Sequence, residues 1–371
     1  MNIEKMIVYF MTFFMLVGAI DKIIGNKFGY AEKFENGFMA MGPLALSMIG
    51  AVSLAPVIAR ILRPVIVPIY TFLGADPSIF ATTLLASDMG GYSLALALAS
   101  TKEIGLFSGL ILGTIMGPTF CFTIPVALGI IEKEDHEFLA KGVLAGLIAV
   151  PIGSFVGGIV AGFSWRMLMH NLVPIIVVAG LIGIALWKIP EKSIKVFTKF
   201  GNFVIGLITL GTAAIIIETL TGIILIPGMA PISEGIKIVG SIAIVLAGAF
   251  PMVYFIQKTF KDPIMKVGEF IGISHIAVIG LLSSLAHCIP MFGILKDMDN
   301  KGKILNVAFA VSGAFVFGSH LGFTAGISKD MILPVIIGKL VSGVSAIFIA
   351  YFFIPNENNK KIVNRKVKYE I

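Results

Sequence analysis

The sequence predicts an all-α polytopic membrane protein, and three observations point there. Of 371 residues, 57% are hydrophobic and only 13% charged, whereas about a quarter of an ordinary soluble domain is charged. The mean hydropathy is +0.99. Several unbroken apolar runs approach the ~20 residues needed to cross ~30 Å of hydrocarbon. The runs are continuous rather than alternating, which excludes a transmembrane β-barrel.

Eleven membrane segments are predicted, over residues 6–24, 37–58, 79–99, 104–131, 138–163, 172–187, 203–225, 238–256, 273–294, 304–326 and 331–354. The first lacks a small-residue cleavage site and reads as a membrane helix, not a removed signal peptide. Pro64 to Gly74 is apolar but too short to cross, so an interfacial position is expected. Trp165 and Trp187 stand at segment ends, where interfacial anchors occur. The chain then divides into a first repeat with a linking helix (1–190), a second repeat (197–355) and a basic, cytoplasmic tail (356–371).

The net charge is +7. Basic residues concentrate in short loops and the tail, which the positive-inside bias explains better than nucleic-acid binding. Cys121 and Cys288 both lie in apolar segments, so neither a disulfide framework nor a zinc site is expected. No residue pattern calls for a cofactor. The lipid bilayer is the expected surrounding, and whether the chain forms a homo-oligomer stays open.

The chain reads as written twice. Leu84-Leu85-Ala86-Ser87 recurs as Leu281-Leu282-Ser283-Ser284, and Phe72-Leu73-Gly74 as Phe270-Ile271-Gly272. Gly117 to Thr123 recurs as Gly318 to Thr324, Lys141 as Lys339, and Asp21 as Glu218. The offsets are 197, 198, 201, 198 and 197.

Positive charge then decides the topology. If all eleven segments crossed, the basic tail and the cluster Lys188, Lys192, Lys195 and Lys199 would face opposite sides. If 79–99 and 273–294 instead enter and leave on one side as re-entrant hairpins, nine crossings remain, N-terminus out and C-terminus in. Of the 28 Lys and Arg, 20 then lie inside, 7 outside and Lys339 within a segment. Five crossings separate the two repeat starts, and an odd number inverts the second copy. The expected architecture is thus about 9–11 segments in two inverted repeats, with broken or re-entrant helices at the repeat interface.

The hairpin tips hold the candidate site. Asp88 lies in Ser87-Asp88-Met89-Gly90-Gly91-Tyr92, with apolar stretches on both sides. A carboxylate costs roughly 2.5–3.5 kcal/mol at the centre of a membrane helix, and such groups commonly serve function. It can hold an ammonium or a proton, or merely cap a half-helix. Gly90 and Gly91 permit close approach of ligand to main chain, or simply pack. His287 and Cys288 occupy the matching turn: a relay or hydroxyl partner, or a satisfied buried histidine. Thr119 and Thr123, with Ser319, His320 and Thr324, put hydroxyls and an imidazole at two related breaks. They can replace the hydration of a small polar solute, or bond to neighbouring carbonyls. Tyr92, Phe120 and Phe122 can present ring faces to a cation, though packing explains them as well. Lys339 is expected to snorkel to the interface rather than pair with a carboxylate. Asp76 reads as a helix cap, and Glu132 to Glu137 as a solvated turn.

Several of these stretches carry a family resemblance. Phe38-Met39-Ala40-Met41-Gly42, Ser87-Asp88-Met89-Gly90-Gly91, Gly113 to Thr119, Ile124 to Glu132, Ile289-Pro290-Met291-Phe292-Gly293 and His320-Leu321-Gly322-Phe323 resemble the ethanolamine permeases of bacterial ethanolamine-utilisation systems. The likeness runs over nearly the whole chain. It implies uptake of ethanolamine across the inner membrane, feeding a cobalamin-dependent ammonia-lyase. The family often carries amides in the turn before Ile289-Pro290, where this chain has His287 and Cys288. It often carries an acidic residue before the His-Leu-Gly-Phe run, where this chain has Ser319. Both departures put weight on Asp88. Ethanolamine is a primary amine, mostly protonated near neutral pH. Asp88 is therefore expected to pair with its ammonium, and Thr or His side chains to take its hydroxyl.

Two alternatives belong to transport as well: a channel-like facilitator, and a carrier of another small cationic amine. A membrane enzyme is disfavoured by the absence of Gly-x-Ser-Gly, Gly-x-Gly-Asp and His-Glu-x-x-His runs. A purely structural role is disfavoured by the buried carboxylate and the duplicated breaks.

Overall fold

The computed structural model describes residues 3–259 and 261–354. The basic tail expected over 356–371 lies outside the described residues. The described residues are overwhelmingly helical. In the first half run α1 (Ile3–Ile23), α2 (Tyr30–Met39), α3 (Met41–Phe72), α4 (Ser78–Leu84), α5 (Gly91–Leu98), α6 (Lys102–Leu106), α7 (Gly113–Ile115), α8 (Ile124–Ile130) and α9 (His136–Val160). Then come α10 (Trp165–Lys188), α11 (Pro190–Thr221), α12 (Ile232–Thr259), α13 (Lys261–Ile271), α14 (His275–Ala286), α15 (Ile289–Gly293), α16 (Asn300–Ser312), α17 (Ser319–Ile327) and α18 (Ile332–Ala350). Wide turns of π type over Phe107–Leu112 and Thr119–Thr123 join α6, α7 and α8 into one bent span.

Among the described residues, eight helical stretches are long and apolar enough to cross a membrane. They account for eight of the eleven predicted segments. The other three, 79–99, 273–294 and 304–326, are each interrupted.

The first two are hairpins whose ends meet. Asp76 caps the entry to α4 by accepting from the Ser78 N–H at 2.8 Å. Its other oxygen accepts from the backbone N–H and hydroxyl of Ser100, just past α5, at 3.0 and 2.5 Å. Asn171 of α10 accepts from the Asp76 N–H at 2.8 Å and fixes this mouth to the body. In the second half the polarity of the clasp is reversed. Ser274 opens the hairpin, and its N–H donates at 2.7 Å to Asp299, which closes it. A segment whose first and last residues share one carboxylate begins and ends at the same level, so both are hairpins.

Between the halves the packing is reciprocal. The first helix of each half lies on the second long helix of the other: α1 on α12, and α11 on α3. The same glycine serves both contacts. Gly50 of α3 leaves room for the Ile208 carbonyl of α11, and Gly248 of α12 for the Met11 carbonyl of α1. A Cβ at either glycine would lie 2.1 or 2.5 Å from that oxygen. Helices α9 and α18 pack together across the centre, with Gly153, Gly157 and Gly338 at the crossing.

Three expectations are corrected. The Pro64–Gly74 stretch is not a separate interfacial piece, because α3 continues through Pro56, Pro64 and Pro68 to Phe72. Each proline deletes one backbone donor, which a membrane helix can tolerate. The acidic turn is not merely solvated: Asp135 is buried and pairs with Lys303 of α16 at 2.5 Å. Lys339 does not snorkel, being only 1% exposed at the centre of the molecule. Trp165 is exposed at the start of α10, as expected of an anchor, with Arg166 over its ring at 5.6 Å.

Candidate functional site

The tips of the two hairpins point at the two helix interruptions. The first tip turns at Ala86, whose carbonyl accepts from the Met89 and Gly91 N–H groups at 3.0 and 2.9 Å. Gly90 adopts φ +90°, a left-handed conformation natural to glycine, and lies against Ala51 of α3. The Asp88 carboxylate, half-buried, meets the Ser319 side chain at the start of α17 and lies within electrostatic reach of Lys339.

The first interruption is a bend at Met116-Gly117-Pro118. Gly117 lies against the Leu85 carbonyl, where a Cβ would come within 2.1 Å. Pro118 has no N–H, so the carbonyl one turn before it, Thr114, loses its helical donor. The second interruption is wider. Residues 313–318 leave the helix altogether, and Gly318 lies against the Ala286 carbonyl as Gly117 does against Leu85. The Phe315 and Phe317 N–H groups donate to the Ser284 and Leu285 carbonyls at the end of α14, at 3.0 and 2.9 Å. Phe315 has φ +64°, a strained conformation for a side chain of its size.

Lys339 answers both interruptions. Its ammonium donates to the Thr114 carbonyl at 2.5 Å and to the Ser312 carbonyl at 3.2 Å. These two carbonyls are counterparts, 198 positions apart. One is orphaned by Pro118, the other by the end of α16.

Aromatic rings join the tips. Phe122, His287, Phe315 and His320 form one group, with His287 and Phe315 at 4.8 Å between centroids and Phe315 and His320 at 5.0 Å. On the other side, Tyr92 meets Phe323 edge to face at 5.6 Å. The Cys121 thiol touches the Met89 sulfur at 3.5 Å and receives the Ala86 N–H.

The predicted residues thus divide by setting. Asp88, Tyr92, His287, Ser319 and His320 lie together around the tips. Ser87 and Thr119 are buried with their hydroxyls committed, Ser87 to the Gly109 carbonyl at 2.6 Å and Thr119 to the Val311 carbonyl at 3.3 Å. Gly90 and Gly91 shape the first turn, and Cys288 is wholly buried beneath the second. Thr123 Oγ1, His320 Nδ1 and Thr324 Oγ1 are buried without a protein partner, so their polar capacity is unspent. Among the described residues, no group of three or more His, Cys, Asp or Glu is placed to hold a metal.

Sequence reasoning missed Lys339 and Phe315 as site residues. Lys339 had a signal, since Lys22 and Lys141 fall near the ends of predicted segments whereas Lys339 lies well inside one. Phe315 had none, because its role depends on an unwound backbone that its neighbours impose.

These features define an α-helical multi-pass membrane protein with two helical hairpins meeting at a polar centre. The model of the family "Ethanolamine utilisation protein, EutH" matches residues 3–353, and the chain belongs to that family. A Listeria monocytogenes protein named "Probable ethanolamine permease EutH" is 59% identical over 97% of this chain and 96% of its own length. An Escherichia coli protein of the same name is 46% identical over 96% and 97%. A Bacillus subtilis relative, named only as uncharacterized, is 52% identical over 97% and 98%. No solved structure matches the chain.

Proposed function

We propose that this protein is a secondary carrier that takes up ethanolamine as the protonated amine, with Asp88 as the seat of the ammonium. One observation carries the reading: a carboxylate at the tip of a re-entrant hairpin, facing the point where an interrupted helix restarts. A carboxylate at that depth is expensive unless a cation uses it. The unspent His320, Thr123 and Thr324 groups supply partners for a hydroxyl. Permease naming among the relatives supports transport, and their names supply the substrate.

The two halves are read as inverted repeats. Reciprocal packing supports this, as do the five long helical spans between the hairpin mouths, from Lys102 to Thr259. If each crosses, the hairpins open on opposite faces. Moving one half-derived bundle against the other around the tips would then alternate access.

The test is uptake of radiolabelled ethanolamine into proteoliposomes. Asp88→Asn should lower uptake at least about thirtyfold, the lower end for losing one partner of a buried charge pair. Wild-type rates in that variant would remove Asp88 from the mechanism. Counterflow exchange by the wild type separates a carrier from a channel-like facilitator.

A further inference from the structure

We propose that Lys339 is the resident counter-charge of Asp88. Its ammonium balances the carboxylate while the site is empty. The Thr114 and Ser312 carbonyls hold it aside when a substrate cation takes Asp88. The inference rests on the carrier reading above and extends it to the empty state.

The geometry supplies both parts. Lys339 is buried, on α18, and sits on the two carbonyls at 2.5 and 3.2 Å. Both carbonyls end a helical run, α7 at the Pro118 bend and α16 at its last residue, where backbone dipoles leave partial negative charge. A cation can rest there without occupying the carboxylate. The titratable groups that face Lys339 are Asp88 on the first tip, Cys288 on the second and His320 on α17. Asp88 is the one carboxylate among them. The ammonium lies within electrostatic reach of Asp88 but is seated on the carbonyls, so it does not form a direct ion pair with the carboxylate. Lys141, the counterpart of Lys339, instead pairs with Glu137 at the protein surface at 2.5 Å. The central cation is therefore a property of the second half alone.

Charge balance gives the consequence. With Lys339, the empty site is neutral and the loaded site carries one positive charge. Without Lys339, the loaded site is neutral and the empty site carries an unpaired negative charge at membrane depth, which opposes reorientation. Net uptake requires the empty protein to return. Exchange of internal for external substrate does not require the empty form to reorient.

The experiment compares net uptake with exchange of radiolabelled ethanolamine in proteoliposomes, for wild type and Lys339→Met. The variant is expected to lose net uptake at least about tenfold more than it loses exchange. Equal loss of both in well-folded protein would make Lys339 a structural brace, and unchanged net uptake would make it irrelevant. Either result overturns the proposal. A second measurement needs no variant and decides the matter if Lys339→Met fails to fold. A positively charged loaded site makes the rate of wild-type exchange depend on an imposed potassium diffusion potential. Exchange indifferent to that potential overturns the assignment. Wild-type protein that neither takes up nor exchanges ethanolamine would instead refute the carrier reading itself.

Discussion

Asp76 and Ser100 stand 24 positions apart, yet one carboxylate oxygen of Asp76 receives both the N–H and the hydroxyl of Ser100. That clasp makes residues 76–100 a loop into the protein rather than a path through it. Asp76→Ala removes the acceptor for three donors at a buried mouth. Hydrogen bonds to charged groups are worth about 1.5–3 kcal/mol each. The variant should therefore be destabilised by about 3 kcal/mol or more, read as a lower Tm in detergent. Glu103→Ala, at an exposed neighbour, should leave the Tm unchanged.

Asp299 closes the second mouth outside the membrane-spanning helices. Burial pushes its carboxyl upward, but the N–H groups of Ser274 and Gly302, at 2.7 and 2.9 Å, outweigh this and hold it below the ordinary carboxylate value. A lowered folded-state value means the ionised form stabilises the fold. That contribution is complete above the unfolded value, about 3.9, and is lost as pH falls through the lowered one. Asp299→Asn should be less stable than wild type at pH 7, with the gap closing below about pH 4. Tm measured across that range checks it, and a gap that widens in acid contradicts it.

Gly50 and Gly248 set the spacing of the two helix pairs that tie the halves together. Gly50→Ala and Gly248→Ala would each drive a methyl into a backbone carbonyl. Overpacking typically costs about 1–3 kcal/mol, and a backbone atom cannot step aside as a side chain can. Both variants should give less monodisperse protein and a lower Tm. Gly206→Ala and Gly240→Ala, where a Cβ meets nothing within 4 Å, should be neutral or slightly stabilising.

Labelling tests the opposed mouths directly. Lys102→Cys lies just past the first mouth and Lys301→Cys beside the second. An impermeant maleimide added to intact cells should modify position 102 and spare 301 until the membrane is opened. The native Cys121 and Cys288 are buried, so neither should compete strongly for the reagent. Labelling of both positions from outside would remove the inverted arrangement.

The helical segments and the two hairpins were legible because they depend on local composition and on where lysines fall. Asp76 was legible as a cap for the same reason. What escaped depends on partners far along the chain. The Thr114 carbonyl that draws Lys339 inward lies 225 positions away, and the Asp135–Lys303 pair spans 168. The register of the tips also escaped. The match of Leu84–Ser87 to Leu281–Ser284 gives an offset of 197, but the carbonyls that touch Gly117 and Gly318 pair Leu85 with Ala286, an offset of 201. The difference is about one helical turn, since α14 has 12 residues and α4 only 7. The long α3 was split at Pro64 because three prolines outvote a helix in sequence, though not in a packed bundle.

Lys339 has a counterpart by position but none by setting, and the first tip carries Asp88 where the second carries no carboxylate and instead has His287. The two halves of the chain therefore converge on a middle whose sides differ: acid on one, imidazole and amine on the other. A strictly mirrored chamber would greet both ends of a small guest alike. If the proposed carrier uses this chamber, its unlike sides would receive the two ends of such a guest differently and give it an orientation.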